Sequence, residues 1–391
     1  MYINLKSIFK FCSIYIAILN INILFCNLNA ATNNKDFLDL QSQAAVVIDY
    51  DTGRVLYDKN ASEKRPMASL TKIMTSILLV ENCDLDELIE VPSGAATIGG
   101  STVGLKKGDK VTARALLYGM LLPSGNDCAY TVGVHIGGTI ENFAKMMTDK
   151  AKSLGITDTS FANPHGLDNE NHYTSAKSMA LIARYALKNK DIKEIVNTRT
   201  ATVNFGSFTK TLNNTNALLR TYDKADGVKT GFTNGANRCL VASATDHNRR
   251  YIAVILGADT TQIRFNEARE ILEYCFDNYK LTDISNYLKF YINLPVTKGN
   301  ISFYERLFND TLSVPLTKEE YDKIYVIQNV EENLYAPLII GTKIGNIKVI
   351  LDDEILYEKN IYLDQNIYKK GIIDYFNESF KNIFAPVYNV I

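Results

Sequence analysis

Ser69-Leu70-Thr71-Lys72 places a hydroxyl and an amine three residues apart. On a helix two such side chains share one face, so the amine can reach the hydroxyl. A serine hydroxyl is a weak nucleophile until a neighbouring base takes its proton. Lys72 can be that base only while neutral, a form favoured by burial and by a second positive charge, for which Lys229 is the candidate. Pro66, Ala68 and Ser69 suit a helix start, and Ile73, Met74, Ile77 and Leu78 continue an apolar stripe. The N–H groups and dipole of a helix N-terminus at Ser69 would favour an oxyanion forming there. Taken alone, the four residues read as a capping serine and a surface lysine.

Two later segments change that reading. Ser124-Gly125-Asn126 follows the apolar run Ala115 to Leu122 and Pro123. A loop there presents a hydroxyl and an amide: Ser124 to relay a proton between Lys72 and a leaving group, Asn126 to hold a substrate amide. Lys229-Thr230-Gly231 precedes a β-rich run. On an edge strand its backbone would pair with an extended peptide. Lys229 and Thr230 would offer a cation and a hydroxyl to a terminal carboxylate, and Gly231 would allow close approach. Each segment alone is ordinary turn composition; the order of all three is what points to acyl transfer.

The elements that must position these groups follow from periodicity. Ala44 to Tyr50 and Val55 to Tyr57 form a hairpin around Asp51-Thr52-Gly53, and helical patterns dominate from about Ser69 to Lys188. Cys239 to Ala244 and Tyr251 to Leu256 form a second hairpin turning at Asp246-His247-Asn248, followed by a helix from about Thr261 to Tyr279. Strands at both ends with helices between predict one α+β domain, residues 36–283, whose antiparallel sheet joins the ends. Residues 288–368 read as a small all-β domain, with strands at Phe290 to Leu294, Ser313 to Pro315, Lys323 to Gln328 and Lys348 to Leu351. Residues 371–391 carry Ile372, Ile373, Phe376, Phe380, Ile383, Phe384 and Val387 at helical spacing, an amphipathic helix suited to a membrane surface and too polar to span it.

Composition bounds the rest. The chain has 391 residues, is 46% hydrophobic and 22% charged, and carries a net charge of −1, which gives no electrostatic case for nucleic acid. Residues 1–30 read as a secretory signal: Lys6 and Lys10, an uncharged apolar run from Phe11 to Phe25, and Leu28-Asn29-Ala30 as the cleavage site. Cys83, Cys128, Cys239 and Cys275 are widely spaced, with no metal-ligand pattern, so no metal or cofactor is implied. Cys239 and Cys275 adjoin apolar residues and are expected in the core.

Together, Met67-Ala68-Ser69-Leu70-Thr71-Lys72, Ser124-Gly125-Asn126-Asp127, Asn163-Pro164-His165-Gly166-Leu167 and Asp226-Gly227-Val228-Lys229-Thr230-Gly231 resemble the serine D-Ala-D-Ala carboxypeptidases, the low-molecular-weight penicillin-binding proteins. Ile263-Arg264-Phe265-Asn266-Glu267 is similar too. The resemblance implies a penicillin-binding-protein/β-lactamase-like transpeptidase domain, a β-rich domain and an amphipathic tail, exported to the outer face of the cytoplasmic membrane. It implies that Ser69 attacks the peptide bond between two D-alanines of a peptidoglycan stem peptide. Lys72 would take its proton, and Ser124 would pass one to the departing D-alanine. The N–H groups of Ser69 and Phe232 would form the oxyanion hole; Lys229 and Thr230 would bind the carboxylate, with Arg264 as a supporting cation. β-Lactams would acylate the same serine. Phe232 stands where some relatives carry histidine, and a backbone donor survives that change. His165 and His172 are expected to be structural, because a Ser-Lys pair needs no histidine.

A β-lactamase shares the first motif but usually carries a deacylating glutamate and an S-D-N, where this chain has Gly125. A crosslink endopeptidase would use the same residues. A silent wall-binding or antibiotic-sensing module has no chemical reason to keep Ser69, Lys72 and Lys229 together.

Overall fold

The computed structural model describes residues 38–384. The predicted signal segment and the last residues of the tail lie outside them. All elements below belong to the unit Gln41–Ile391.

Ala44–Asp49 (β1) and Val55–Lys59 (β2) pair antiparallel. Asp49 closes their turn by accepting from Thr52 N at 2.7 Å and Thr52 Oγ1 at 2.6 Å. A 3₁₀ turn, Ala68–Thr71, runs directly into Lys72–Asn82 (α1). Leu88–Glu90 (β3) and Lys110–Thr112 (β4) form a ribbon. Helices Ala113–Leu121 (α2), Asn126–Gly137 (α3), Ile140–Ser153 (α4), Ala176–Ala186 (α5) and Lys190–Asn197 (α6) follow. Thr200–Asn204 (β5) pairs with Thr209–Asn213 (β6), and the single turn Leu218–Thr221 (α7) leads to Ala225–Thr233 (β7), Asn237–Asp246 (β8), Arg249–Ala258 (β9) and Thr261–Asn278 (α8).

The main sheet has the order β2-β1-β9-β8-β7, so the two ends of the domain meet at its centre. β1 pairs with β9 from Ala44↔Leu256 to Asp49↔Tyr251. Both faces of this sheet are covered. Ala44, Val46 and Ile48 join the large core around α1, while Ala45 and Val47 point the other way and are equally buried. Buried Ala268, Ile271, Leu272 and Cys275 give α8 its apolar face. The turn between β8 and β9 has left-handed backbone at His247 (φ 46°) and Asn248 (φ 65°), the conformation a two-residue hairpin needs.

α1 is buried on every side from Lys72 to Leu79, so it is a central core helix and not an amphipathic surface one. That placement decides the fate of its first residue, Lys72.

Lys280–Asp283 (β10), Lys289–Thr297 (β11), Phe303–Asn309 (β12), Ser313–Leu316 (β13), the turn Lys318–Tyr321 (α9), Ile324–Val330 (β14), Leu334–Tyr335 (β15), Lys343–Leu351 (β16) and Glu354–Tyr362 (β17) build the β-rich part. It has its own core, including Ile292, Leu294, Tyr304, Ile347, Val349 and Ile361. The predicted runs mark β11, β13, β14 and β16. β12 and β17 escape notice because charged Glu305, Arg306, Glu358 and Lys359 interrupt their apolar runs. Arg54 links the two parts: its guanidinium meets Glu320 at 2.5 Å and Glu354 at 3.2 Å, and donates to the Pro315 carbonyl.

The tail helix Ile372–Phe384 (α10) forms as its spacing predicts. Its described apolar side chains stay in solvent: Ile372 is 90% and Phe376 68% exposed. No described helix is long and apolar enough to cross a membrane.

Candidate active site

The three segments converge. Ser69 lies in the 3₁₀ turn and not at the start of the α-helix, which begins at Lys72. In a 3₁₀ turn residues i and i+3 eclipse, which brings Lys72 over Ser69 more directly than an α-helix would. Ala68 enters the turn with φ 48°. Two glycines let the surroundings close on it. A Cβ on Gly166 (φ +93°) would lie 2.0 Å from the Ala68 carbonyl oxygen, and one on Gly231 would lie 3.2 Å from Ser69 N. The loop carrying Gly166 is held by Asn163, whose Oδ1 accepts from Gly166 N at 2.7 Å and whose Nδ2 donates to Leu167 O at 2.9 Å.

Lys72 is fully buried, with Nζ 2.9 Å from Ser69 Oγ, 2.7 Å from Asn126 Oδ1 and 2.7 Å from the His165 carbonyl oxygen. Burial above all, and then the charge of Lys229, push its pKa well below the ordinary lysine value. A neutral amine has two N–H donors and one lone pair. Asn126 Oδ1 and His165 O are acceptors only and take the donors, so the lone pair is left facing the Ser69 hydroxyl.

Asn126 opens α3. Besides meeting Lys72, its Nδ2 donates to Gly99 O at 2.7 Å, and its backbone N to Ser101 O at 2.6 Å. Asp127, quoted in the motif without a role, accepts from the backbone N–H groups of Val103, Gly104 and Leu105 at 2.9–3.1 Å. It thereby pins the loop over one side of the site. Ser124 precedes α3 in left-handed backbone (φ 70°), a costly conformation for a non-glycine residue. Among the described residues its buried Oγ has no hydrogen-bond partner, an uncommon state for a buried hydroxyl.

β7 is an edge strand, as peptide pairing requires. Lys229 is buried on it, with Nζ 3.0 Å from Thr230 O; burial and then the Arg264 charge lower its pKa to about 7. Thr230 Oγ1 and Thr215 Oγ1 lie 2.6 Å apart. Arg264 is buried beside the strand, donating to Gly231 O at 3.0 Å and Cys239 O at 3.3 Å. Its cationic field reaches Lys229, while its hydrogen bonds hold the backbone of β7. Phe232 is 52% exposed, with the Arg238 guanidinium 4.9 Å from its ring centroid.

Neither buried histidine side chain bonds to Ser69. His172 Nδ1 accepts from Ala162 N at 3.0 Å, so its proton lies on Nε2, which donates to Thr71 Oγ1 at 2.6 Å; Thr71 in turn donates to Ala68 O at 2.7 Å. His165 Nδ1 accepts from Leu167 N at 3.3 Å. Burial lowers the pKa of His165 to about 3 and of His172 to about 4, so both are neutral supports. Cys83, Cys128, Cys239 and Cys275 are all free thiols.

A cleft of about 310 Å³ opens beside Ser69 and Asn126, lined also by Ser101, His165, Phe232 and Thr233 among others. A nucleophile, a lone pair on it, an unpartnered hydroxyl and a buried cation on an open strand edge suit attack on a peptide that ends in a carboxylate.

Comparison with known proteins agrees with this chemistry. Residues 29–260 match the family described as D-alanyl-D-alanine carboxypeptidase, and residues 289–369 match the penicillin-binding protein 5 C-terminal domain. D-alanyl-D-alanine carboxypeptidase DacF of Bacillus subtilis is 35% identical, over 86% of this chain and 88% of its own. Among solved structures, penicillin binding protein 5 of Haemophilus influenzae superposes with a TM-score of 0.73 at 27% identity, covering 85% of this chain and 99% of that one. The carboxypeptidase DacD of Francisella tularensis gives a TM-score of 0.66 at 29% identity, covering 85% and 95%. With the three motifs packed against one another and both domains matched in order, the chain belongs to the D-alanyl-D-alanine carboxypeptidase family, serine-type hydrolases of the penicillin-binding-protein fold.

Proposed function

We propose that the chain removes the terminal D-alanine from peptidoglycan stem peptides through an acyl-enzyme at Ser69. One observation carries the reading: Nζ of buried Lys72 lies 2.7 Å from two groups that can only accept, Asn126 Oδ1 and His165 O, and 2.9 Å from Ser69 Oγ, to which the neutral amine turns its lone pair in this mechanism. Ser69 Oγ attacks the carbonyl carbon of the penultimate D-alanine, and its proton moves to Lys72 Nζ. The oxyanion is met by the backbone N–H groups of Ser69 and Phe232. Lys72 returns the proton through Ser124 Oγ to the nitrogen of the departing D-alanine, as the C–N bond breaks. Water then cleaves the ester and regenerates Ser69. Lys229 and Thr230 hold the terminal carboxylate, and Arg264 and Gly231 shape the strand that presents them. The second N–H of Asn126 Nδ2 is available to a substrate carbonyl. A β-lactam acylates Ser69 by the same route.

The test is D-alanine release from a soluble peptide ending in D-Ala-D-Ala, by residues 31–391 and by the same chain with Ser69→Ala. Release by the first and not the second is expected. Release by both, or penicillin labelling of the variant, overturns the nucleophile assignment. Release by neither, with crosslinked peptide cleaved instead, would make the enzyme an endopeptidase.

The exposed apolar face of α10 supports a place on the outer face of the cytoplasmic membrane for the exported chain. Deleting residues 371–391 should free the protein from vesicles and spare activity on soluble peptide; retention on vesicles overturns the anchor.

A further inference from the structure

Cys83 and Glu87, on the short connection from α1 to β3, meet His135 of α3 at the surface. Cys83 caps the C-terminal end of α1, Glu87 lies just before β3, and His135 is in the last turn of α3. One ligand atom from each lies within 4.8 Å of the others, and His135 Nε2 is 3.1 Å from Glu87 Oε1. Among the described residues this is the one grouping of its kind. Sulfur, imidazole nitrogen and carboxylate together suit a borderline-soft divalent ion and not calcium or magnesium, which prefer all-oxygen shells. Three protein ligands leave a fourth tetrahedral position to water, which the exposure of Glu87 and His135 permits.

We propose that Cys83, Glu87 and His135 form a binding site for one zinc-class transition-metal ion. The chemistry balances without an oxidant: the Cys83 thiol loses its proton to solvent, and the thiolate, the neutral imidazole and the carboxylate each give an electron pair to the ion. Because the ligand is the thiolate, binding is accompanied by proton release. The placement gives the site a consequence. α1 begins at Lys72 and α3 begins at Asn126, and those residues are hydrogen-bonded at 2.7 Å. An ion joining Cys83 to His135 ties the other ends of the same two helices, and so braces the pair that orients the catalytic amine.

The full chain, reduced and stripped of metal by chelation, is titrated with Co²⁺ alone. The expected result is one equivalent bound, with a thiolate-to-cobalt charge-transfer band, proton release, displacement by Zn²⁺ and a higher unfolding midpoint. Cys83→Ser should abolish the band. His135→Gln should weaken binding at least ~100-fold, the upper end of what loss of a mere supporting partner costs. Buried Cys128, Cys239 and Cys275 remain in every variant as internal controls. No band in the wild type, a band that persists in Cys83→Ser, or unchanged affinity in His135→Gln overturns the site. Exposed Glu87→Gln serves if Cys83→Ser misfolds: weaker Co²⁺ binding with the fold intact supports the triad, and wild-type affinity refutes it.

Discussion

Exchanging Lys72 for methionine and, separately, for arginine tests whether the amine works by its lone pair or by its charge. Methionine fills much of the lysine volume and removes both functions. It leaves Asn126 Oδ1 and the His165 carbonyl without the donor that stands 2.7 Å from each. Each unsatisfied buried acceptor costs ~1–3 kcal/mol, but the variant no longer desolvates an amine, so a net loss of ~2 kcal/mol is expected. Arginine restores donors for both acceptors yet stays protonated at any working pH and has no lone pair to offer. General-base catalysis contributes ~10²–10⁴ in rate, so both variants should be acylated by penicillin at least ~100-fold more slowly than the wild type. The assay is the second-order rate constant for labelling by a fluorescent penicillin, with the unfolding midpoint of each variant measured alongside. An arginine variant within ~10-fold of the wild type would show that positive charge suffices, and would refute the lone-pair argument. Wild-type acylation should itself fall on acidification through the depressed pKa of Lys72, because the protonated amine cannot accept.

Lys229 must be protonated to bind a carboxylate, and its pKa is about 7, so kcat/KM on a D-Ala-D-Ala peptide should fall as pH rises through that value. Lys229→Arg should move this alkaline limb upward; a pH–rate profile with the limb unmoved would refute the assignment. His165 and His172 stay neutral when folded, with pKa values of about 3 and about 4, whereas unfolded imidazoles take up protons near ~6.5. The unfolded state therefore binds more protons between those limits, and stability should fall as pH drops from ~6.5 toward 4, by at most ~1.4 kcal/mol per unit for each histidine. Urea unfolding of His172→Gln at several pH values should show the slope reduced by one such group, and an unchanged slope counts against it. Gly166→Ala should cost more than ~2 kcal/mol, because the new Cβ meets the Ala68 carbonyl in left-handed backbone, and should slow penicillin acylation through displacement of Ser69; a variant with wild-type midpoint and rate would contradict that packing.

Much of the site was legible because local chemistry and chain order encode it. Ser69 and Lys72 fall within one turn, so their spacing alone implies contact. Ala44 to Tyr50 and Tyr251 to Leu256 announce themselves as strands by apolar runs with turns beside them. Their pairing also follows once helices are seen to fill the middle of the domain. Other features had no local signal. Asp127 reads as one more helix-start carboxylate until the loop at Val103 to Leu105 folds back onto it. Arg54 reads as a turn residue until Glu320 and Glu354 arrive from the second domain. Cys83 and Glu87 are four residues apart, but His135 joins them only when α1 and α3 pack together.

The sequence by itself determined which groups could react. The order Ser69, Lys72, Ser124, Lys229 names a nucleophile, an amine, a relay and a cation, and periodicity says which segments are helix or strand. Only the tertiary structure decided their ionisation and direction. Lys72 is a buried amine of lowered pKa and not a surface ammonium because α1 is buried all round and Lys229 lies nearby. Arg264 reaches the backbone of β7 and β8 because α8 packs against the main sheet. Among the described residues the Ser124 hydroxyl has no partner, on left-handed backbone that no dipeptide preference foretells. A pKa depends on solvent and charges within a few ångströms in space, whatever their separation in sequence, and that distance exists only once the chain has folded.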